Sequence, residues 1–202
     1  MDEIDIVKFP FYQWTLPNEL LDGCDNYITK LNYNLNVDCY SSEVFDYEPL
    51  TEYVTSSLTD LQNKIYPNHD NFKIVPTIFW ANKTEFLGKH HRHTHANSIY
   101  SGIIYLTDNE DSGATRFYYP NPYRYFEVGL MGLFNLSPFN QQTNPKSFFD
   151  FYPKRGKMII FPSNVEHETI TNRKKSKRYS ISFNTFIKGK IGLNESKTYL
   201  TL

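Results

Sequence analysis

The hydrophobic period of this 202-residue chain changes near Phe72, and that change limits the folds open to it. Upstream, Leu20, Leu21, Cys24, Tyr27, Ile28 and Leu31 recur every three to four residues, so an amphipathic helix starts near Pro17. Leu50, Tyr53, Val54, Leu58, Leu61 and Ile65 repeat the pattern, and Pro67 ends this second helix. Downstream, FKIVPTIFWAN, ANSIYSGIIYLTD, ATRFYY, KMIIFP and RYSISFNTFI read as strands, parted by Gly, Pro, Asn and Asp. Val7–Leu16 alternates loosely and reads as an edge strand whose ladder Pro10 limits. Tyr119–Arg155, aromatic and rich in Asn and Pro, has no clear period and reads as an ordered insertion or lid. No repeat or internal boundary interrupts the chain. Residues 1–202 therefore read as one domain, a helical part over about 17–66 packed on a β core over about 72–188. The fold class is mainly β with N-terminal helices, a sandwich or jelly roll.

Charge excludes some partners. The 21 basic and 22 acidic residues leave a net charge of −1, which gives no electrostatic case for nucleic acid or a membrane surface. A short basic run, Arg173 to Arg178, is the local exception. No apolar stretch has membrane-spanning length, and MDEIDIVKFP lacks the basic-then-apolar pattern of a secretory signal, so the expected compartment is the cytoplasm. Cys24 and Cys39 are not spaced as a metal knuckle or a redox pair and read as two buried thiols.

Four of the six histidines fall within six residues, at His90, His91, His93 and His95. Alternate residues of a strand face one side, so His93 and His95 can address one metal ion. His91 shares their parity, and His91-x-His93 has the same spacing; His90 points the other way. A third ligand must come from elsewhere. His69 sits in a turn after a helix, whereas His167 follows the strand KMIIFP, a good way to present a ligand at a barrel mouth. The set His93, His95 and His167 suits iron, zinc, copper or nickel, and three ligands on one face leave open positions for catalysis. A solvated loop could carry the same cluster.

RYSISFN narrows the choice. Arg178, Ser180, Ser182 and Asn184 share one face of this strand, and Tyr179, Ile181 and Phe183 share the other. A solvated edge strand could alternate in the same way. Yet the polar face holds an arginine, two hydroxyls and an amide with no Lys or Glu, which suits an anion inside a barrel. Arg178 with Ser180 can grip a carboxylate through a forked, charge-assisted contact and a hydroxyl.

Taken in order, HxH, SGIIYLTD, DSGATRF, GKMIIFPSNVEH and RYSISFN resemble the iron(II)- and 2-oxoglutarate-dependent oxygenases, in particular a branch common in bacteria and phages. Ile103 to Pro120 is also similar to the prolyl hydroxylases of that superfamily. The resemblance spans about Thr77 to Phe186. It implies a double-stranded β-helix of the cupin-like kind, iron(II) and 2-oxoglutarate as cofactors, and molecular oxygen as a partner. It implies His93 as first iron ligand, His167 as distal ligand, and His95 where most of the superfamily has Asp or Glu. Arg178, with Ser180, would hold the far carboxylate of 2-oxoglutarate. Strand parity offers Trp80, Asn82 or Tyr105 for the wall of that pocket. The expected function is hydroxylation of a substrate, with a protein or peptide side chain favoured by the prolyl-hydroxylase-like stretch. His95 brings no negative charge, which leaves open a three-histidine centre that needs no 2-oxoglutarate. A non-enzymatic cupin-like binding module or a structural jelly roll is the competing class.

Overall fold

A computed structural model of the protein describes residues 10–68, 70–109, 112–118, 148–192 and 198–202. In chain order the elements are β1 (Tyr12–Thr15), α1 (Asn18–Ile28), β2 (Tyr33–Asn36), β3 (Cys39–Ser42), α2 (Glu48–Ile65), β4 (Phe72–Thr84), β5 (His90–His93), β6 (Tyr100–Tyr105), β7 (Thr115–Tyr118), β8 (Phe148–Phe151), β9 (Lys157–Pro162), β10 (His167–Thr169), β11 (Arg178–Ile191) and β12 (Leu200–Thr201). The strands form two antiparallel sheets. The larger runs β1-β9-β6-β11-β4-β3-β2, with β12 against the end of β11; the smaller runs β5-β10-β7-β8. The expected mainly β fold with N-terminal helices is therefore present, with both helices and all five downstream strands near their predicted positions.

Alternation along the central strands sorts their side chains into two layers. Phe79 and Ala81 of β4, Ile104 of β6, Met158 and Ile160 of β9, and Ile181 and Phe183 of β11 pack against Leu21, Cys24, Leu50, Val54, Leu58 and Leu61 of the helices. On the opposite face, Ile103, Tyr105, Ile159 and Phe161 meet Phe117 and Val165 between the sheets. Burial on both faces explains why SGIIY and MIIF are continuous apolar runs. Gly102 is needed at its position, because a Cβ there would lie 2.0 Å from the Phe183 ring. Gln62 of α2 ties the helical layer to the sheet, accepting from Ile74 N–H at 2.9 Å and donating to Phe72 O at 2.7 Å. Pro76 lies inside β4, where it costs a ladder bond, and it stands opposite the register shift between Asn184 and Thr185 of β11.

The structure adds elements absent from the periodicity. The hairpin β2–β3 extends the large sheet beside β4. Of the Tyr119–Arg155 segment, residues 119–147 lie outside the described residues, as does His69; Phe148–Phe151 forms β8, paired to β7. Cys24 and Cys39 are buried and free. Among the described residues no helix is long and apolar enough to cross a membrane.

Candidate metal centre

Backbone pairing brings the first two imidazoles together. β5 and β10 are antiparallel neighbours, and His93 stands directly opposite His167, so both rings leave one face of the small sheet with centroids 4.4 Å apart. His95 arrives differently from the strand-parity expectation. β5 ends at His93, and His95 lies past it, where its N–H donates to Ser163 O at 3.0 Å. The loop returns its ring to within 5.1 Å of both His93 and His167, and the Trp80 ring stacks on it at 5.7 Å. One ligand atom from each of the three histidines lies within 4.8 Å of the other two.

Each ring is held in the tautomer a metal needs. His93 Nδ1 donates to His91 O at 2.8 Å, and His167 Nδ1 donates to Val165 O at 3.0 Å. His95 Nδ1 donates to Asn184 Oδ1 at 2.6 Å. A carbonyl oxygen only accepts, so the proton sits on Nδ1 in all three and Nε2 keeps its lone pair. His95 Nε2 is buried with no hydrogen-bond partner. Such an orphan acceptor beside two more imidazoles marks a place prepared for a cation. Burial, ahead of the neighbouring imidazoles, lowers the His167 pKa to about 3; burial is also the largest cause lowering His93 and His95. The rings thus stay neutral at pH 7, the form that ligates. Three neutral imidazoles suit a borderline divalent ion such as iron(II), so the residues present fit that metal.

A second group overlaps the first. His90, His91 and His93 also present ligand atoms within 4.8 Å of one another. The sequence left His91-x-His93 and His93-x-His95 equivalent, and the fold gives each pair a third imidazole.

Arg178 lies across the same cavity, which has a volume of about 490 Å³. It is 2% exposed. Its Nη1 donates to Ser180 Oγ at 3.2 Å and its Nη2 to Thr115 Oγ1 at 3.1 Å. Its Nε has no partner, and among the described residues no carboxylate pairs with it. A buried guanidinium met only by hydroxyls is a charge awaiting an anion. Ser180, Ser182 and Asn184 line the cavity beside it, as the alternation of β11 predicts, and Trp80 and Asn82 of β4 complete that wall. Asn82 is fixed there, donating to Ser182 Oγ and accepting from Ser41 Oγ. Tyr105 is fully buried beneath, its ring 5.5 Å from the guanidinium and its hydroxyl donating to Thr115 Oγ1. The nearby acids are engaged elsewhere: Glu166 pairs with Arg92, Glu168 accepts from Tyr118 and Asp108 accepts from Arg155 N–H.

Two participants were not identified from sequence. Thr115 lies in the strand ATRFYY, and its burial and its contact with Arg178 come from the fold. Asn184 stood on the polar face of β11, but its contact with His95 depends on a loop return. Ser101 Oγ donates to the same Asn184 oxygen at 3.0 Å and fixes the amide. Asn184→Ala should therefore weaken iron(II) binding by roughly 10- to 100-fold, the usual cost of losing the partner behind a ligating imidazole, without unfolding the chain. Chelator competition beside a thermal melt checks this.

No curated protein matches the chain in sequence. Several solved structures share its fold. An oxidoreductase of the 2OG-Fe(II) oxygenase family from Burkholderia pseudomallei is 17% identical with a TM-score of 0.57, covering 86% of this chain and 83% of that one. A Pseudomonas putida prolyl-4-hydroxylase is 15% identical with a TM-score of 0.55, covering 87% and 92%. HygX from Streptomyces hygroscopicus, solved with nickel, 2-oxoglutarate and hygromycin B, is 8% identical with a TM-score of 0.59, covering 88% and 82%. At these identities the likeness establishes the jelly-roll fold. The model of the family described as "Putative 2OG-Fe(II) oxygenase" matches residues 78–184, just over half of the chain, from the middle of β4 to Asn184 of β11. The chain belongs to the iron(II)- and 2-oxoglutarate-dependent oxygenases, enzymes that use those two cofactors and molecular oxygen to oxidise a substrate.

Proposed function

We propose that His93, His95 and His167 hold the iron, that Arg178 with Ser180 and Thr115 holds 2-oxoglutarate by its far carboxylate, and that the whole chain works as one hydroxylase domain. The observation that carries this reading is the shared cavity. It has three imidazoles with their lone pairs on Nε2 on one side and, on the other, a buried guanidinium met by hydroxyls with its Nε unpartnered. Iron(II) with 2-oxoglutarate, when bound, would supply the electrons that activate molecular oxygen, which is the oxidant. The protein's own residues do the rest. The three imidazoles leave part of the coordination sphere open. Carbonyl partners on each Nδ1 keep the rings from turning. Arg178, held by two hydroxyls, orients a dicarboxylate with one end toward the histidines and the other in the guanidinium fork. Asn82, Ser182 and Ser41 form a fixed polar wall, and Trp80 shields His95 from water.

For the substrate, we infer a protein or peptide side chain. Its support is the prolyl-hydroxylase-like stretch Ile103–Pro120 and the shared fold with a prolyl-4-hydroxylase. A cytoplasmic location suits the two free, buried thiols. The purified chain with iron(II), oxygen and 2-oxoglutarate should release succinate, and a proline-containing peptide library should gain one oxygen atom by mass spectrometry in step with it. Absence of succinate under all iron-loaded conditions would contradict the reading. Succinate without a modified peptide would contradict the substrate class alone.

A further inference from the structure

The imidazole row does not stop at the three inner histidines. His90, His91 and His93 bring ligand atoms within 4.8 Å of one another, with ring centroids 4.6 Å apart for His90–His91 and 4.7 Å for His90–His93. The His91 carbonyl organises them. It accepts from His93 Nδ1 at 2.8 Å and from His90 Nδ1 at 3.3 Å, so both rings carry their lone pair on Nε2, and in His90 that atom accepts a long contact from Asn36 Nδ2 at 3.4 Å that a cation would displace. His91 is exposed while His167 is 4% exposed, so the row leads from solvent into the cavity. We propose that His90, His91 and His93 form a second, outer site for a borderline divalent cation such as zinc. This site shares His93 with the inner triad, so only one of the two can be complete at a time.

The exclusion follows from valence. His93 Nδ1 is committed to the His91 carbonyl, which leaves Nε2 as its single ligand atom. One lone pair binds one ion. A cation caught at the outer triad takes His93 and leaves the inner group with His95 and His167. A cation in the inner triad leaves the outer group with His90 and His91. Zinc accepts three imidazoles and a water in tetrahedral geometry and lies above iron(II) in general affinity, so it is the ion expected to exploit such a site. The outer triad is thus a point at which a competing metal opposes iron loading. The inference depends on the functional reading above in one respect, that the inner triad is the iron site.

The test uses the full chain, freed of metal and titrated with zinc alone by calorimetry. His95→Ala/His167→Ala, which retains the outer triad, should bind one zinc per chain. Adding His90→Ala and His91→Ala should weaken that binding by more than roughly 100-fold, since the loss of a single partner behind a ligand already costs up to that. Wild type should bind one zinc tightly, not two. His95→Ala alone serves as a second background if the double variant melts early, and a thermal melt accompanies each titration. A folded inner-site variant that takes up no zinc would overturn the outer site, and two tight zinc ions in wild type would overturn the sharing of His93. Loss of iron(II) binding in His90→Ala/His91→Ala, with iron kept in His95→Ala/His167→Ala, would instead make the outer triad the iron centre and overturn both readings.

Discussion

His167→Ala should abolish tight iron(II) binding at the inner triad, and His93→Ala should do the same. These two imidazoles face each other across paired strands with centroids 4.4 Å apart, and neither can be replaced by a neighbour without breaking the register of β5 against β10. Losing a direct ligand must cost more than the roughly 100-fold upper figure for losing the group behind one. His95→Ala should also lose iron. His95→Asp should keep it, because an aspartate restores the ligand most of the superfamily carries and adds a negative charge beside a divalent ion. Competition against a chelator under anaerobic conditions measures all four variants. If His95→Ala binds iron as tightly as wild type, the ligand pair is His91 and His93.

Arg178→Ala should raise the apparent constant for 2-oxoglutarate by about 10- to 100-fold, the loss expected for a charged hydrogen-bond pair worth roughly 1.5–3 kcal/mol. Iron affinity should stay the same, since Arg178 is not among the imidazoles. A second consequence separates this role from a structural one. The guanidinium is buried with an unpartnered Nε and no carboxylate among the described residues. Before the anion binds, its charge costs stability rather than contributing it. Arg178→Met should therefore leave the thermal midpoint of the cosubstrate-free protein unchanged or higher. A structural arginine holding the barrel shut would show a clear fall.

Much of this site was legible in the sequence because it depends on strand period. The alternation of RYSISFN assigned Arg178, Ser180, Ser182 and Asn184 to one wall, and β11 presents all four to the cavity. The helices were legible from their apolar spacing, with prolines at a start and an end. Parity reached His93 and His95 as a pair, but by a route the fold does not take, since His95 sits beyond the strand and returns through contacts with Ser163 and Asn184. Two features had no local signal. The pairing of His93 with His167 joins residues far apart in sequence, and nothing in either strand encodes the register. The hairpin β2–β3, in YNLNVDCYSS, has too few apolar residues to show a period and is fixed by its pairing with β4. His90, His91, His93 and His95 could not be sorted by spacing, because two overlapping pairs share the same interval.

We propose that the three imidazoles and Arg178 form one cavity that holds iron and 2-oxoglutarate together. Anaerobic calorimetric titration of the iron-loaded protein with 2-oxoglutarate tests it most directly. Wild type should bind one equivalent, Arg178→Ala should bind it about 10- to 100-fold more weakly, and the iron-free protein should bind little. A folded, iron-loaded wild type that binds no 2-oxoglutarate, or an Arg178→Ala variant that binds it as tightly as wild type, would contradict it.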